Sequence, residues 1–235
     1  RNPDEFRVVY QPIIPANHNG VLRVEALARW TNPILGAVGP DQFIRVAERT
    51  GLISELGWII IDKVLADLAT TQTVCASINI SPLQLMKPDF VSDLLLRLKR
   101  AGIETARIQI ELTENVMIRN QQAILDRIRE IRSAGVKVAL DDFGTGFSAI
   151  SYLTATEFDS IKIDGSLLRS AGDSQNREDF FYSVVSLSRA VCRDVVVEGI
   201  ETPEQAQMAK NSGADAFQGY LYGIPGAFDI ACGPH

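Results

Sequence analysis

The sequence predicts an α/β fold, namely a (β/α)8 TIM-type barrel in which one early strand runs antiparallel to the rest. Three observations predict it. Strand-like and helix-like segments alternate along most of the chain. The 235 residues, 46% of them hydrophobic, match the size of one barrel domain. Several strands end in polar residues at alternate positions, which lie on one face of the sheet, as they do at the mouth of such a barrel. We therefore expect residues 1–235 to form one domain and, since the chain begins at Arg1, to belong to a longer protein.

The first part of the chain predicts a hairpin followed by two helices. Phe6–Ile14 and Val21–Trp30 are strand-like on either side of a turn at Ala16–Gly20, which predicts an antiparallel pair. Apolar residues at helical spacing predict helices at Pro40–Arg49 and Ser54–Ala69.

The rest of the chain alternates between strands and helices. Six strands are predicted: Val74–Ile80, Arg107–Leu112, Val136–Asp141, Asp159–Ile163, Asp194–Glu198 and Asp215–Tyr220. Helices are predicted between them: Phe90–Arg100, Gln121–Ser133, Glu178–Val191 and Pro203–Asn211. Gly102, Gly135 and Gly213 stand just past three of these helices, where glycine commonly ends a helix. With the hairpin, the strands number eight, which favours a closed barrel.

Composition excludes several functions. A net charge of −6 argues against a nucleic-acid surface, and no apolar run or leader predicts membrane contact. Three cysteines without metal-ligand spacing, Cys75, Cys192 and Cys232, favour a reducing, cytoplasmic compartment without disulfides. With only His18 and His235, a histidine zinc site cannot form and a Ser-His-Asp triad is nearly excluded.

Polar residues of one parity lie at or near the ends of the strands: Glu25, Asn79, Glu111, Asp141, Lys162, Glu198 and Gln218. Positions of the opposite parity are bulkier, as at Ile78, Ile110 and Leu140. Because a barrel strand points one face into the barrel, we expect the polar set to meet at its carboxyl-terminal mouth.

The candidate metal ligands offer only oxygen donors: Glu25, Asn79, Glu111, Asp141, Asp142 and Glu198. This set favours magnesium or manganese over copper or zinc. Five carboxylates are too much charge for one divalent ion, so we predict two ions per site, with Asp141 as the shared ligand. Paired metals suit in-line phosphoryl displacement. Lys162 could orient or deprotonate the attacking water, or neutralise phosphate charge.

Seven motifs then occur in order: EALARW (25–30), INIS (78–81), ELTE (111–114), DDFGTGFS (141–148), IKID (161–164), EGIET (198–202) and QGY (218–220). With these motifs the chain resembles the EAL-domain family of bacterial cyclic di-GMP phosphodiesterases. The likeness extends from YQPI at Tyr10 to Pro225, nearly the whole chain.

The resemblance implies hydrolysis of cyclic di-GMP to linear 5′-pGpG with magnesium or manganese, which lowers a second messenger that controls processes such as biofilm formation. Calcium should occupy the site but support the reaction poorly, because its coordination is looser. The resemblance assigns the metal-binding role to the same six residues, and a catalytic role to five: Glu25, Asp141, Asp142, Lys162 and Glu198. It places Lys162 beside the attacking water.

Other roles also follow from the resemblance. The predicted substrate contacts are Gln11, Leu27, Arg29, Asp164, Glu201 and Gln218. Glu114 would hold the DDFGTGFS loop. The expected partners are a second copy of the chain in a homodimer and a regulatory, sensor or GGDEF domain elsewhere in the full-length protein.

The sequence departs from the usual family residues at Arg23, at Ala149-Ile150 and at Gly165-Ser166-Leu167, but every metal ligand is present. We therefore expect catalysis. One alternative is a receptor that binds cyclic di-GMP without cleaving it. Another is a Schiff-base lyase that uses Lys162, although surrounding acids would keep that lysine protonated.

Overall fold

The computed structural model describes residues 2–17, 21–114, 121–145, 158–172 and 174–232, and it contains a closed eight-stranded barrel with helices around it. Nine strands are present in this part of the chain: β1 (Phe6–Pro15), β2 (Leu22–Asn32), β3 (Gly36–Val38), β4 (Val74–Asn79), β5 (Ile108–Thr113), β6 (Lys137–Phe143), β7 (Ser160–Ile163), β8 (Val195–Val197) and β9 (Ala216–Gln218). The predicted barrel is confirmed.

Strand β1 is the reversed strand that the sequence predicts. It pairs antiparallel with both β2 and β9 and thereby closes the barrel, whereas the pairs from β2 through β4 to β9 are parallel. Strand β3, which was not predicted, pairs with the far end of β2 and lies outside the closed ring.

The helices of the described residues are α1 (Pro40–Arg49), α2 (Ile53–Leu68), α3 (Pro82–Leu85), α4 (Phe90–Ala101), α5 (Gln121–Ser133), α6 (Gly165–Ala171), α7 (Gln175–Val191), α8 (Pro203–Asn211) and α9 (Phe228–Ala231). All six predicted helices are confirmed to within three residues. The short helices α3, α6 and α9 were missed, because one or two turns leave no clear helical period.

Local sequence explains where the helices begin and end. Thr202 and Gln205 form a capping box at the start of α8, with Pro203 in the first turn. Gly102 follows α4 with a φ of 69°, a left-handed conformation that favours glycine and ends the helix.

The apolar core lies mostly between the strands and the surrounding helices. It contains the bulky strand residues of one parity, such as Ile78, Ile110 and Leu140. A second, small apolar cluster of Ile13, Val196 and Ala216 has the other parity, and we place it inside the barrel. The predicted division into an apolar outer face and a more polar inner face is therefore confirmed, and it directs the polar strand ends toward the mouth.

Two features of the opposite end are structural. Arg23 forms an ion pair with Asp194 just before β8. Arg107 is buried and donates hydrogen bonds to the carbonyl oxygens of Val74 and Leu68, the latter at the end of α2. These contacts tie neighbouring segments together at the end of the barrel away from the polar mouth.

The remaining sequence expectations have mixed outcomes. Cys75, Cys192 and Cys232 are all free. Within the described ranges, no helix has the length and apolarity needed to span a bilayer. Residues 18–20 of the predicted turn, both histidines and Ala149-Ile150 lie outside the described residues. The extent of the domain and its cytoplasmic location stay predictions.

Candidate active site

The predicted polar residues meet at the carboxyl-terminal end of the barrel. Strand pairing sets Asn79 opposite Glu111 and Gln11 opposite Glu25. Glu25, Glu111, Asp141 and Lys162 are all buried, and they come from four different strands. Residues far apart in sequence therefore form one cluster because the sheet closes on itself.

Lys162 lies at the centre of this cluster. Its Nζ lies 2.7 Å from a carboxylate oxygen of Glu198, 2.9 Å from one of Glu111, 3.0 Å from one of Glu25 and 3.4 Å from one of Asp141. The lysine side chain is only 1% exposed. A single buried ammonium thus holds four carboxylates from four different segments together.

The carboxylates form two overlapping groups that share Asp141. In one group, oxygens of Glu25, Glu111 and Asp141 lie within 4.8 Å of one another; in the other, oxygens of Asp141, Asp142 and Glu198 do. Each group is compact enough to supply ligands to one cation, as the predicted sharing of Asp141 requires.

Backbone geometry lets adjacent Asp141 and Asp142 serve the same site. In a regular strand, neighbouring side chains point to opposite faces. Here the register of β6 against β7 shifts between Leu140 and Phe143, and Asp142 has a φ of 56°. It is the one non-glycine residue with positive φ in the described part of the chain. Such strain commonly accompanies functional sites.

The donor set fits hard divalent cations. It consists of five carboxylates and the Asn79 amide, all oxygen donors. Glu111 Oε1 is buried and has no hydrogen-bond partner among the described residues, which is costly unless a ligand supplies one. If all five carboxylates are ionised, the Lys162 ammonium leaves four negative charges uncompensated, which equals the charge of two divalent cations.

Burial and mutual repulsion shift the pKa values of the acids. Burial is the largest cause, and repulsion by the nearby carboxylates adds to it, whereas the charge of Lys162 acts in the opposite direction. The net effect raises the pKa of Glu111 and of Asp141, and it raises the pKa of Glu198 to about 8. Burial and the charge of Asp141 raise the pKa of Asp142 to about 6. The raised pKa values mean that the ionised forms of these carboxylates are destabilised at this site, and a bound cation would stabilise them.

Glu25 and Lys162 shift in the direction of their charged forms. Burial opposes ionisation of Glu25, but Lys162 and hydrogen bonds from Gln218 and Asn79 outweigh it and lower its pKa. Burial likewise opposes the charge on Lys162, but the surrounding carboxylates outweigh it and raise its pKa well above the usual value. A protonated Lys162 is a poor nucleophile, which disfavours the Schiff-base alternative.

A network of amides orients Glu25. Gln218 Nε2 donates to Glu25 Oε2 at 2.7 Å and to Gln11 Oε1 at 3.2 Å, while Gln11 Nε2 donates to the Gly223 carbonyl at 3.1 Å. Asn79 Nδ2 donates to Glu25 Oε1 at 2.7 Å. Both oxygens of this carboxylate are thereby fixed, so its orientation is set before any ligand binds.

Two cavities adjoin the cluster, and both are lined by Glu25, Asp141 and Asp142. The first, about 370 Å³, is also lined by Asn79, Glu111 and the predicted substrate contacts Leu27 and Arg29. The second, about 330 Å³, is lined by Glu198 and by the predicted contacts Gln11, Asp164, Glu201 and Gln218. The structure thus brings all the predicted ligands and substrate contacts to one mouth; their roles stay predictions.

Glu114 lies where its predicted role requires. The buried Glu114 accepts a hydrogen bond at 3.3 Å from the backbone N–H of Gly144, two residues after Asp142. The contact links the end of β5 to the start of the DDFGTGFS segment, of which residues 146–148 lie outside the described residues. That Glu114 holds this loop stays a prediction.

Sequence reasoning missed Arg169 of α6, which lines the second cavity. There was little reason in the sequence to select it, since a single arginine that follows a GSLL segment is usually a surface residue. It also missed Gln84 of α3, which is buried at the wall of the first cavity.

The chain is similar to proteins of one known family. The EAL domain family model matches residues 2–225 of the chain. The protein named cyclic di-GMP phosphodiesterase NbdA, from Pseudomonas aeruginosa, is 30% identical over 227 residues, covering 94% of this chain and 29% of that protein. The probable cyclic di-GMP phosphodiesterase PdeN, from Escherichia coli, is 32% identical over 227 residues, covering 94% and 44% respectively.

Among solved structures, the PaMucR phosphodiesterase in complex with c-di-GMP superposes with a TM-score of 0.89. It is 29% identical, and the match covers 97% of this chain and 94% of that one. The chain spans less than half the length of the two curated relatives above.

Proposed function

This chain belongs to the EAL domain family, and from that premise we propose that it is a metal-dependent phosphodiesterase that hydrolyses cyclic di-GMP to linear 5′-pGpG. The observation that carries the proposal is the pair of overlapping carboxylate groups that share Asp141 beside Lys162. The names of the relatives and the c-di-GMP complex of PaMucR support the choice of substrate.

Glu25, Asn79, Glu111, Asp141, Asp142 and Glu198 would hold two ions, magnesium or manganese. When bound, such ions supply Lewis acidity to a phosphate and promote ionisation of the attacking water. Glu25 enters this arrangement already oriented by Gln218 and Asn79. Asp141, common to both groups, would set the spacing of the two positions.

Lys162 would act as a fixed positive charge at the centre of the site. Its contacts to Glu25, Glu111 and Glu198 keep these carboxylates converged on one point. We assign it to orienting the attacking water and neutralising developing charge, rather than to abstracting a proton, because its N–H groups already point at carboxylates.

The two cavities suit a substrate with two similar arms. A cyclic dinucleotide has two nucleosides joined by two phosphodiesters, so one phosphate at the carboxylates would leave one arm for each cavity. Leu27 and Arg29 would contact the substrate on one side, and Gln11, Asp164, Glu201 and Gln218 on the other. Arg29 offers a guanidinium fork suited to phosphate.

The chain is proposed to be the catalytic domain of a larger regulated protein. Its share of the lengths of NbdA and PdeN supports this proposal. A sensor or GGDEF domain elsewhere in the protein and a homodimer of this domain would then supply regulation, and the domain would lower the second messenger in the cytoplasm.

A product assay tests the proposal. The purified domain is incubated with cyclic di-GMP and manganese or magnesium, and products are separated by anion-exchange chromatography. We expect pGpG to form with either metal, to disappear with EDTA, and to fall sharply for Glu25→Ala.

The matched control is Asp93→Asn, which removes an exposed acid from α4, away from the cluster. It should keep wild-type turnover. Intact cyclic di-GMP after incubation with wild-type protein and manganese would contradict hydrolysis and favour the receptor alternative.

A further inference from the structure

Among the described residues, Arg169 has no counter-ion, although it lines an acid-rich cavity. It is exposed, and no ion pair or hydrogen bond of its guanidinium occurs within the described parts of the chain. The described residues that line the second cavity include no other arginine or lysine but six acids: Glu25, Asp141, Asp142, Asp164, Glu198 and Glu201. An arginine that pairs with none of them is available to a ligand.

The Arg169 guanidinium lies against two glycines. A Cβ at Gly165 or at Gly199 would lie 2.9 Å from Arg169 Nη1, closer than real side chains approach. Gly199 also has a φ of 64°, and a Cβ on Gly165 would lie 2.8 Å from the Gly199 Cα. The two glycine segments approach closely, and the absence of side chains at both positions leaves room for the guanidinium beside them.

The groups around this cavity complement the edges of guanine. Guanine presents two acceptors, O6 and N7, on one edge, and an arginine fork binds them in pairs. Its N1–H and N2 amino group are donors, for which Asp164 and Glu201 offer carboxylates in the same cavity. Asp164 uses Oδ1 to accept from the Ser166 N–H at 2.8 Å, and this contact holds its side chain at the start of α6.

We propose that Arg169 is a specificity-determining residue that binds O6 and N7 of the guanine in the second cavity. This inference rests on the proposed function, since it takes cyclic di-GMP as the ligand. Adenine carries an amino donor where guanine carries O6, so the same guanidinium would disfavour cyclic di-AMP. If the guanidinium of Arg169 contacted a phosphate instead, it would favour both nucleotides equally, because their phosphates are the same.

The test compares binding of the two nucleotides by isothermal titration calorimetry, and turnover of cyclic di-GMP, in wild type, Arg169→Ala and Arg169→Lys. Arg193→Ala is the matched control, because Arg193 is exposed and precedes β8 at the opposite end of the barrel. Lysine keeps the charge but loses the paired donors.

We expect both Arg169 variants to lower the preference for cyclic di-GMP over cyclic di-AMP by about 5- to 160-fold, the range for loss of one bidentate arginine–guanine contact. The loss of turnover should be mainly in KM. Arg193→Ala should keep the wild-type preference. An unchanged preference in Arg169→Ala, or an equal loss of affinity for both nucleotides, would overturn the assignment.

The outcome separates this inference from the proposed function. If wild type binds cyclic di-GMP selectively but forms no pGpG, hydrolysis is wrong and the preference ratio still tests Arg169. If wild type shows no preference for cyclic di-GMP over cyclic di-AMP, the assignment of Arg169 is wrong whether or not turnover occurs.

Discussion

Replacing Lys162 with methionine tests whether one buried ammonium holds the acidic cluster together. Methionine fills similar space but carries no charge. The lysine lies within 3.4 Å of carboxylates from four residues and is 1% exposed, so the substitution leaves these acids without their shared counter-ion.

The expected loss of stability is large. Removing one partner of a buried ion pair costs about 3–5 kcal/mol. For a domain of this size, each kcal/mol changes Tm by about 2–4 °C, so Tm should fall by roughly 6–20 °C without metal. Divalent cations would replace the missing positive charge, so manganese should raise the Tm of Lys162→Met more than that of wild type.

Thermal unfolding followed by circular dichroism, in EDTA and in manganese, measures both effects. Lys137→Met is the matched control, because Lys137 is exposed at the opposite end of the barrel, where β6 begins. A surface change of this kind should alter stability by at most about 0.5 kcal/mol. If Lys162→Met melted in EDTA within a degree or two of wild type, the role assigned to the ammonium would be wrong.

Three further predictions concern turnover. Asp141→Asn should lower kcat by at least about 100-fold. The substitution removes an interaction worth several kcal/mol to the transition state, and each 1.36 kcal/mol changes the rate about tenfold. Wild-type product formation by a folded variant would refute the shared role of Asp141. Glu114→Ala removes the acceptor of the Gly144 N–H, so turnover should fall and the second metal should bind more weakly in titration calorimetry. Unchanged metal affinity would argue against that route. Calcium should bind but support little pGpG formation because its coordination is looser, and calcium-supported turnover equal to that with magnesium would contradict this geometric reasoning.

The alternation of strands with helices, and of polar with apolar residues along each strand, predicted most of the barrel. Strands such as β4 and β5 place polar residues on one face and bulky apolar residues on the other, so both fold and orientation follow from sequence. Strand β3 and helices α3, α6 and α9 were missed, because three to seven residues carry too little periodicity.

The site was predictable in its residues but not in its geometry. Residue types and parity identified Glu25, Glu111 and Lys162 as neighbours before the structure was known. They could not show that the register shift and left-handed backbone at Asp142 bring it to the side of Asp141. Nor could they single out Arg169, which lies beside two glycine-containing segments that are distant in sequence.

Anomalous diffraction from manganese-soaked crystals would show whether two cations bind at the barrel mouth and share Asp141. We expect two manganese positions at the barrel mouth, both coordinated by Asp141, one also by Glu25 and Glu111 and the other by Asp142 and Glu198. Carboxylates that remain apart with no manganese between them would contradict it.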